Sequence, residues 1–190
     1  MAERFEASHS LAGKLLLALP GMGDPRFEQS VNAICVHDAE GALGIGIGRF
    51  RDGVSFHEVL YELDIDPGVA PDVAVHQGGP VEPGRGFVLH SPEWSSEGTL
   101  VVRDTLALSA SFEVLRAITE GEGPKRWLFA LGYAGWGAGQ LDGEMHRHGW
   151  HAVGIQEDIV FATPTGARWN AAWRAEGIDP ALLSSQTGRA

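Results

Sequence analysis

Gly132-Tyr-Ala-Gly-Trp-Gly-Ala-Gly-Gln-Leu-Asp142 is the stretch that decides how this chain folds. It holds four glycines and two aromatic residues, between the apolar run Trp127–Leu131 and a segment with helical spacing. So many glycines indicate backbone that turns tightly or lies very close to a neighbour. The pattern predicts a junction between a strand and a helix, whose free N–H groups would point at whatever lies above it.

Length and composition are those of an ordinary globular protein. The 190 residues are enough for one domain with a buried core, and 44% of them are hydrophobic and 21% charged. We expect residues 1–10 to form a flexible arm, residues 11–178 a single domain, and residues 179–190 a small polar tail. No apolar run approaches the ~20 residues of a membrane helix, and the N-terminus lacks the pattern of a signal peptide.

The charge balance predicts which partners the protein avoids. The formal net charge is −11, from 14 Lys and Arg against 25 Asp and Glu, and the basic residues are scattered. Nucleic-acid affinity comes largely from clustered basic side chains on phosphates, so direct nucleic-acid binding is not expected. The single cysteine cannot form an intramolecular disulfide, which together with the missing export signal predicts a cytoplasmic protein without membrane contact.

Local patterns predict strands first and then a mixture of strands and helices. Val31–His37 alternates in the manner of a strand and is followed by a turn into Ala42–Arg49, in which every second residue from position 44 to 48 is glycine. A strand face without side chains requires something to pack very close to it. Ser55–Leu63 reads as a helix with a capping box and an apolar stripe of Val59, Leu60 and Leu63.

A second helix is predicted from Ser111 to Glu120, with Phe112, Leu115 and Ile118 inward and Gly121 closing it. The order of elements lacks the regular alternation of a doubly wound sheet. It favours an α+β domain with a strongly curved, mixed or mostly antiparallel, barrel-like sheet flanked by helices.

Several longer motifs occur in a fixed order along the chain. They are Leu11-Ala-Gly-Lys-Leu-Leu-Leu-Ala-Leu-Pro20, Asp24-Pro-Arg-Phe27, Ile34-Cys-Val-His37, Gly41-Ala-Leu-Gly44, Gly78-Gly-Pro-Val81, Arg85-Gly-Phe-Val-Leu-His-Ser91 and Gly132-Tyr-Ala-Gly-Trp-Gly-Ala-Gly-Gln-Leu141. Together they resemble the YqgE/AlgH family of bacterial proteins, also called uncharacterised protein family 0301. The resemblance implies an α+β arrangement of bent, coiled sheets and no established catalytic activity. One branch carries the name of a transcriptional regulator of alginate synthesis.

Cys35 and His37 are the residues best suited to take part in a chemical reaction. They are two apart on a predicted strand and so share a face, where an imidazole could generate a thiolate. The alternative is a small buried cysteine that packs as a hydrophobe. The sequence contains neither an HxxxH pair nor a CxxC pair, which are common metal-ligand spacings. His146 and His148 are predicted to point apart on a helix, so no metal ligand is assigned.

If the protein has a site, we expect it where the segments that combine glycine, histidine, cysteine, arginine and aromatic residues converge. Glycine would let a ligand approach, an arginine could meet an anion, and a histidine could exchange a proton. The candidate residues for binding a ligand or partner are Cys35, His37, Gly78, Gly79, Arg85, His90, Tyr133, Trp136, Gly137 and Gln140. The same residues could instead hold turns and bury rings.

The sequence thus predicts a non-enzymatic, cytoplasmic binding or regulatory protein, with no catalytic residue, metal or cofactor assigned. Its partner would be a protein or a small molecule, and any transcriptional effect would be indirect. The alternative function is a small enzyme or thiol redox sensor that uses Cys35 with a nearby histidine.

Overall fold

The architecture is one curved sheet with helices on its faces. The computed structural model describes residues 10–21, 25, 27–147 and 149–183. These residues contain ten strands: β1 Lys14–Ala18, β2 Val31–Asp38, β3 Gly41–Gly46, β4 Phe50–Ser55, β5 Ala74–Gln77, β6 Val81–His90, β7 Leu100–Val102, β8 Leu106–Ser109, β9 Trp127–Gly137 and β10 Trp150–Gly154. The strand order is β10-β1-β2-β3-β9-β6-β8-β7, and β5 joins β9 and β4.

All strand pairs in the described residues are antiparallel except β5 with β9. The prediction of an α+β domain with a mostly antiparallel, curved sheet is confirmed. The hairpin of β2 and β3 is also confirmed, with Asp38 opposite Gly41.

Six α-helices accompany the sheet in the described part of the chain. They are α1 Phe56–Glu62, α2 Phe112–Glu120, α3 Gln140–His146, α4 Glu157–Phe161, α5 Arg168–Ala175 and α6 Pro180–Leu183. Helix α4 was not predicted, and α6 lies in the stretch predicted as a polar tail. The predicted arm up to residue 9, His148 and residues 184–190 lie outside the described residues. None of the described helices has both the length and the apolar character needed to cross a membrane.

Strand β9 connects the two parts of the sheet. Its first half pairs with β5 and β6, and Ala134–Gly137 then pairs with Gly41–Gly44 of β3. Between the two halves Gly132 has φ 75°, which glycine adopts without strain. The predicted junction between a strand and a helix is present, but only at the end of the stretch, because β9 runs to Gly137 and α3 begins at Gln140. Three of the four glycines belong to the strand, and the fourth, Gly139, is the N-cap of α3.

A bulge in β2 changes which residues share a face. The pairing with β3 shifts between Ile34 and Val36, so an extra residue, Cys35, interrupts the alternation. Cys35 lies in the core with Leu15 and Val31, whereas His37 pairs with Ala42 on the opposite side of the sheet. The expectation that Cys35 and His37 share a face is wrong, because one inserted residue moves every later side chain to the other side.

Three apolar clusters stabilise the fold. One packs α5 against β1 and β2 around Leu15 and Trp173, and a second packs α1 and α2 around Phe56 and Phe129. A third lies under α3 and includes Leu16, Ile34, Trp136, Leu141 and Trp150. Each fully buried leucine, isoleucine or phenylalanine side chain stabilises the fold by about 1.5–3 kcal/mol through burial alone.

The helix predictions hold, apart from their terminal residues. The capping box of α1 is present, with Ser55 and Glu58 exchanging hydrogen bonds, and Gly121 closes α2 at φ 78°. Leu63 and Phe112, both predicted inward, are 39% and 56% exposed. Leu63 follows the last turn of α1 and Phe112 begins α2, so both extend past the edge of the core.

Candidate functional site

An open cleft lies where β3 and β9 separate. It has a volume of about 720 Å³ and is open to solvent. Its walls come from the end of β3, the loop after β5, the glycine-rich end of β9, helix α3 and the start of β10. A volume of this size lies within the ~300–1,000 Å³ typical of small-molecule sites.

Glycine backbone forms the floor of this cleft. The Gly46 N–H donates to the Gly78 carbonyl at 2.7 Å, which joins β3 to the loop after β5. A Cβ at Gly78 would lie 2.1 Å from the Gly132 oxygen, and one at Gly79 would lie 2.1 Å from the Tyr133 carbonyl carbon. A Cβ at Gly46 would lie 2.5 Å from the Gln77 oxygen. The close packing predicted from the glycines of β3 is confirmed, and it brings bare backbone to the cleft.

A hydrogen-bonded aromatic cluster forms one wall. Glu144 Oε2 accepts from Trp136 Nε1 and Trp150 Nε1, each at 3.0 Å, and Glu144 Oε1 accepts from Gln140 Nε2 at 3.0 Å. The two indoles meet edge to face with centroids 6.5 Å apart. Burial by itself raises the pKa of Glu144, but the bonds from Trp150, Trp136 and Gln140 outweigh burial and lower it. The carboxylate therefore stays ionised and fixes both rings.

Asn32 contributes a polar group to the same cleft. It lies on β2 opposite Leu16 and Gly46, and its side chain is only 8% exposed. Its amide makes no hydrogen bond within the described residues but keeps some solvent exposure, so water in the open cleft can satisfy it. The side chain therefore presents one acceptor and one donor group to the cleft.

Two guanidinium groups complete the lining. Arg147 follows α3 and Arg49 follows β3, and both are exposed. Arg49 donates to the carbonyls of Pro25 and Glu28 and so holds the turn at the lip of the cleft. Arg147 lies near Glu144, and its charge contributes to the lowered pKa of that carboxyl.

The structure brings four of the ten predicted site residues together in this cleft: Gly78, Gly79, Trp136 and Gln140. Gly137 lies beside them and donates its N–H to Gln140 Oε1 at 2.9 Å. Tyr133 is elsewhere, because it packs edge to face against Phe87 on the first core cluster.

Cys35 and His37 do not line the cleft. Cys35 is buried, its Sγ lies 3.6 Å from the Ala33 oxygen, and burial raises the pKa of its thiol to about 12. His37 Nδ1 accepts from the Leu11 N–H at 2.9 Å, and His37 Nε2 faces Asp142 at 3.6 Å. The pairing of thiol and imidazole on one face is absent from this geometry.

Arg85 and His90 also lie away from the cleft. Arg85 pairs with Glu82 at 3.3 Å and lines a separate cleft of about 480 Å³ between α1 and α2. His90 is fully buried: its Nδ1–H donates to the Ser91 oxygen and its Nε2 accepts from Ser109 Oγ, both at 2.9 Å. Burial lowers the pKa of His90, so it stays neutral and structural in this position. No group of three or more potential metal ligands occurs among the residues that the structure describes.

Sequence reasoning missed Asn32, Arg49, Glu144 and Arg147. The signal for Asn32 was present, since it is a polar residue within the apolar run of β2. Glu144 and Arg147 gave no local signal, because their role depends on where α3 packs against β9 and β10.

A known family matches most of the chain, including the glycine stretch. The model of the AlgH-like family matches residues 15–181. The chain belongs to the AlgH-like family. A UPF0301 protein of Novosphingobium aromaticivorans is 60% identical over 95% of this chain and 97% of the relative, and one of Rhizorhabdus wittichii is 55% identical over 97% and 100%.

Two solved structures share the fold of this chain. The solution structure of the AlgH protein from Pseudomonas aeruginosa is similar with a TM-score of 0.77 and 38% identity, covering 96% of this chain and 97% of that one. A crystal structure of a Corynebacterium diphtheriae protein has a TM-score of 0.74 at 22% identity, over 91% of each chain, and supports the fold alone. The resemblance inferred from the motifs is confirmed.

Proposed function

We propose that this AlgH-like protein is a non-enzymatic binding protein whose cleft between β3, β9 and α3 takes a small ligand. Any regulatory effect would then be indirect, through contacts that depend on the bound ligand. The observation that carries the proposal is the lining of this open cleft, which combines the Asn32 amide with the Trp136 and Trp150 indoles fixed by Glu144. Small-molecule sites are typically concave, with a mostly apolar and aromatic lining and a few placed polar groups.

The titratable groups of the cleft favour binding over catalysis. Glu144 is held as a carboxylate by three donors, with its pKa lowered. A general base works best with a pKa near the operating pH, so this carboxylate is poorly placed for that role. Cys35, His37 and His90, the residues best suited to proton transfer or nucleophilic attack, line other parts of the fold.

The test exposes the ¹⁵N-labelled protein to a low-molecular-mass extract of bacterial cells and follows amide chemical shifts. We expect shifts that cluster on residues of the cleft, and their loss in Asn32→Leu. The matched control is Asn170→Leu, which makes the same replacement at the chain's other asparagine, on α5 and outside the cleft. Shifts that cluster elsewhere, or none with several extracts, would contradict the proposed function.

A further inference from the structure

Arg168 is a buried cation without an anionic partner in the described part of the chain. It begins α5 and is only 5% exposed, and burial lowers the pKa of its guanidinium to about 10, so it stays charged at neutral pH. No carboxylate of the described residues lies within 4.0 Å of its nitrogen atoms. Buried charges in proteins are normally paired with an opposite charge. The charge of Arg168 therefore calls for an explanation.

The hydrogen bonds of this guanidinium show which of its edges is unpaired. Nη1 donates to the Ile47 oxygen at 2.7 Å and to His76 Nε2 at 2.8 Å. Nε is fully enclosed without a partner, and Nη2 donates to none of the described residues. The Nε–H and Nη2–H groups form the edge through which a guanidinium donates two parallel hydrogen bonds to a planar oxyanion. This is the edge that Arg168 leaves free.

The polar groups around Arg168 are short of acceptors. His76 Nε2 has one lone pair, and it faces two donors, Arg168 Nη1 and the Thr165 hydroxyl at 3.2 Å. On the other side of the ring, His76 Nδ1–H faces the Phe129 oxygen at 3.3 Å. The cluster of Arg168, His76 and Thr165 thus has a surplus of donors as well as an uncompensated positive charge. A bound anion would correct both.

The cluster lies close to the surface and apart from the open cleft. The Phe50 ring is 49% exposed, and its centroid lies 4.9 Å from that of the His76 ring. Nη2 of Arg168 is not among the fully enclosed atoms, so this end of the free edge keeps access from outside. Arg168, His76 and Thr165 do not line the cleft of the proposed function. An anion bound here would therefore occupy a second site.

We propose that Arg168 forms a site for a small planar oxyanion of the size of formate, which accepts hydrogen bonds from Nε–H and Nη2–H. The anion would neutralise the buried charge and leave Nη1 on Ile47 and His76, where it holds α5 to the end of β3 and to β5. A monoanion of a few atoms fits a side chain that is 95% enclosed, whereas a carboxylate on a bulky, branched chain does not.

The experiment titrates the ¹⁵N-labelled whole chain with sodium formate and follows the arginine side-chain Nε–H resonances. Sodium gluconate keeps the ionic strength constant, because its carboxylate is attached to a bulky chain. We expect the Arg168 resonance, assigned through its bonds in wild type, to shift and to reach half-saturation at or below about 10 mM formate. The thermal midpoint should rise over the same range of concentration, since formate would bind the folded state only.

Arg168→Lys keeps the positive charge but removes the edge with two donors. Formate should no longer raise the thermal midpoint of this variant, whereas Arg116→Lys, at an exposed arginine on α2, should respond as wild type does. The inference is overturned if the Arg168 resonance shows no saturable shift up to about 100 mM formate, or if gluconate shifts it equally. The resonance is measured in wild type, so this test holds even if Arg168→Lys does not fold.

Discussion

At the scale of single residues, His76 and Arg168 form the most unusual contact. Arg168 is buried, and its Nη1 donates to the Ile47 oxygen at 2.7 Å and to His76 Nε2 at 2.8 Å. A guanidinium cannot accept, so Nε2 is the acceptor and the proton of His76 is on Nδ1, which faces the Phe129 oxygen at 3.3 Å. His76 is therefore neutral in the folded state.

This arrangement predicts a loss of stability in mild acid. Burial and the charge of Arg168 lower the pKa of His76 to about 4 from 6.5. Between those values the unfolded chain binds a proton that the folded chain does not, so the free energy of unfolding falls as pH falls through that window. Urea unfolding should show His76 accounting for about 2 kcal/mol of the loss between pH 7 and pH 5.

The replacement His76→Gln should reduce this pH dependence, although it also removes buried hydrogen bonds and lowers stability at pH 7. The control is His146→Gln, at an exposed histidine on α3. In this variant the free energy of unfolding should depend on pH as it does in wild type. His90 is not a suitable control, because burial lowers its pKa too. An unchanged slope in His76→Gln would show that protonation of this side chain is not linked to unfolding.

At the scale of elements, the approach of the β5 loop to β9 depends on missing side chains. Gly78 and Gly132 lie with their backbones almost in contact, and the Gly78 N–H donates to the Leu131 oxygen at 3.0 Å. This contact closes the floor of the cleft and connects the two parts of the sheet. The glycines are therefore needed both for the fold and for the shape of the site.

Gly78→Ala should destabilise the protein by at least about 2 kcal/mol, because the new methyl group would overlap the Gly132 oxygen and force the strands apart. Gly84→Ala is the matched control, since nothing lies within 4 Å of a Cβ there. It should stay within about 1 kcal/mol of wild type. Chemical denaturation gives the free energy of unfolding of both variants. Equal losses would mean that the close approach of Gly78 to the Gly132 oxygen is not the reason for glycine at position 78.

Chemical denaturation should also distinguish the N-terminal caps of α1 and α2. Ser55 accepts from the Glu58 N–H and forms the capping box of α1, whereas Ser111 makes no side-chain cap bond to α2. Ser55→Ala should cost about 1 kcal/mol, and Ser111→Ala should be close to neutral because its buried hydroxyl has no partner within the described residues. A reversed order would contradict this assignment of the caps.

At the scale of the whole molecule, the net charge predicts which partners are disfavoured. The formal net charge of −11 is spread over a chain whose basic residues are dispersed, so a polyanion meets repulsion over most of the surface. A small molecule would meet only the local charge of the cleft, whose described lining includes Glu144 and Arg147.

We therefore expect no sequence-selective DNA binding by the purified protein. A mobility-shift assay at about 50 mM salt, where phosphate contacts are strongest, should leave duplex DNA unshifted at micromolar protein. A protein with a known helix-turn-helix domain serves as the positive control. A tight, sequence-selective and salt-sensitive shift would reverse this expectation.

Local patterns predicted most elements, whereas the site depended on contacts distant in sequence. Gly78 and Trp136 were placed in the site because glycine and aromatic motifs are visible in a single segment. Glu144 gained its role only from the packing of α3 on two strands. The bulge at Cys35 follows from the register between β2 and β3, which alternation alone does not reveal. Asn32 could have been found by asking which polar residue interrupts a buried strand.

The position of β9 has a consequence for synthesis on the ribosome. Strand β3 ends at Gly46, and its partner segment of β9 begins at Ala134, so residues 47–133 must be translated before that edge is paired. At ~5–20 residues per second the delay is roughly 4 to 17 s, during which the β2–β3 hairpin has an open edge. A nascent chain stalled before residue 134 should bind ribosome-associated chaperones strongly. It should be released from them when β9 emerges from the ribosome.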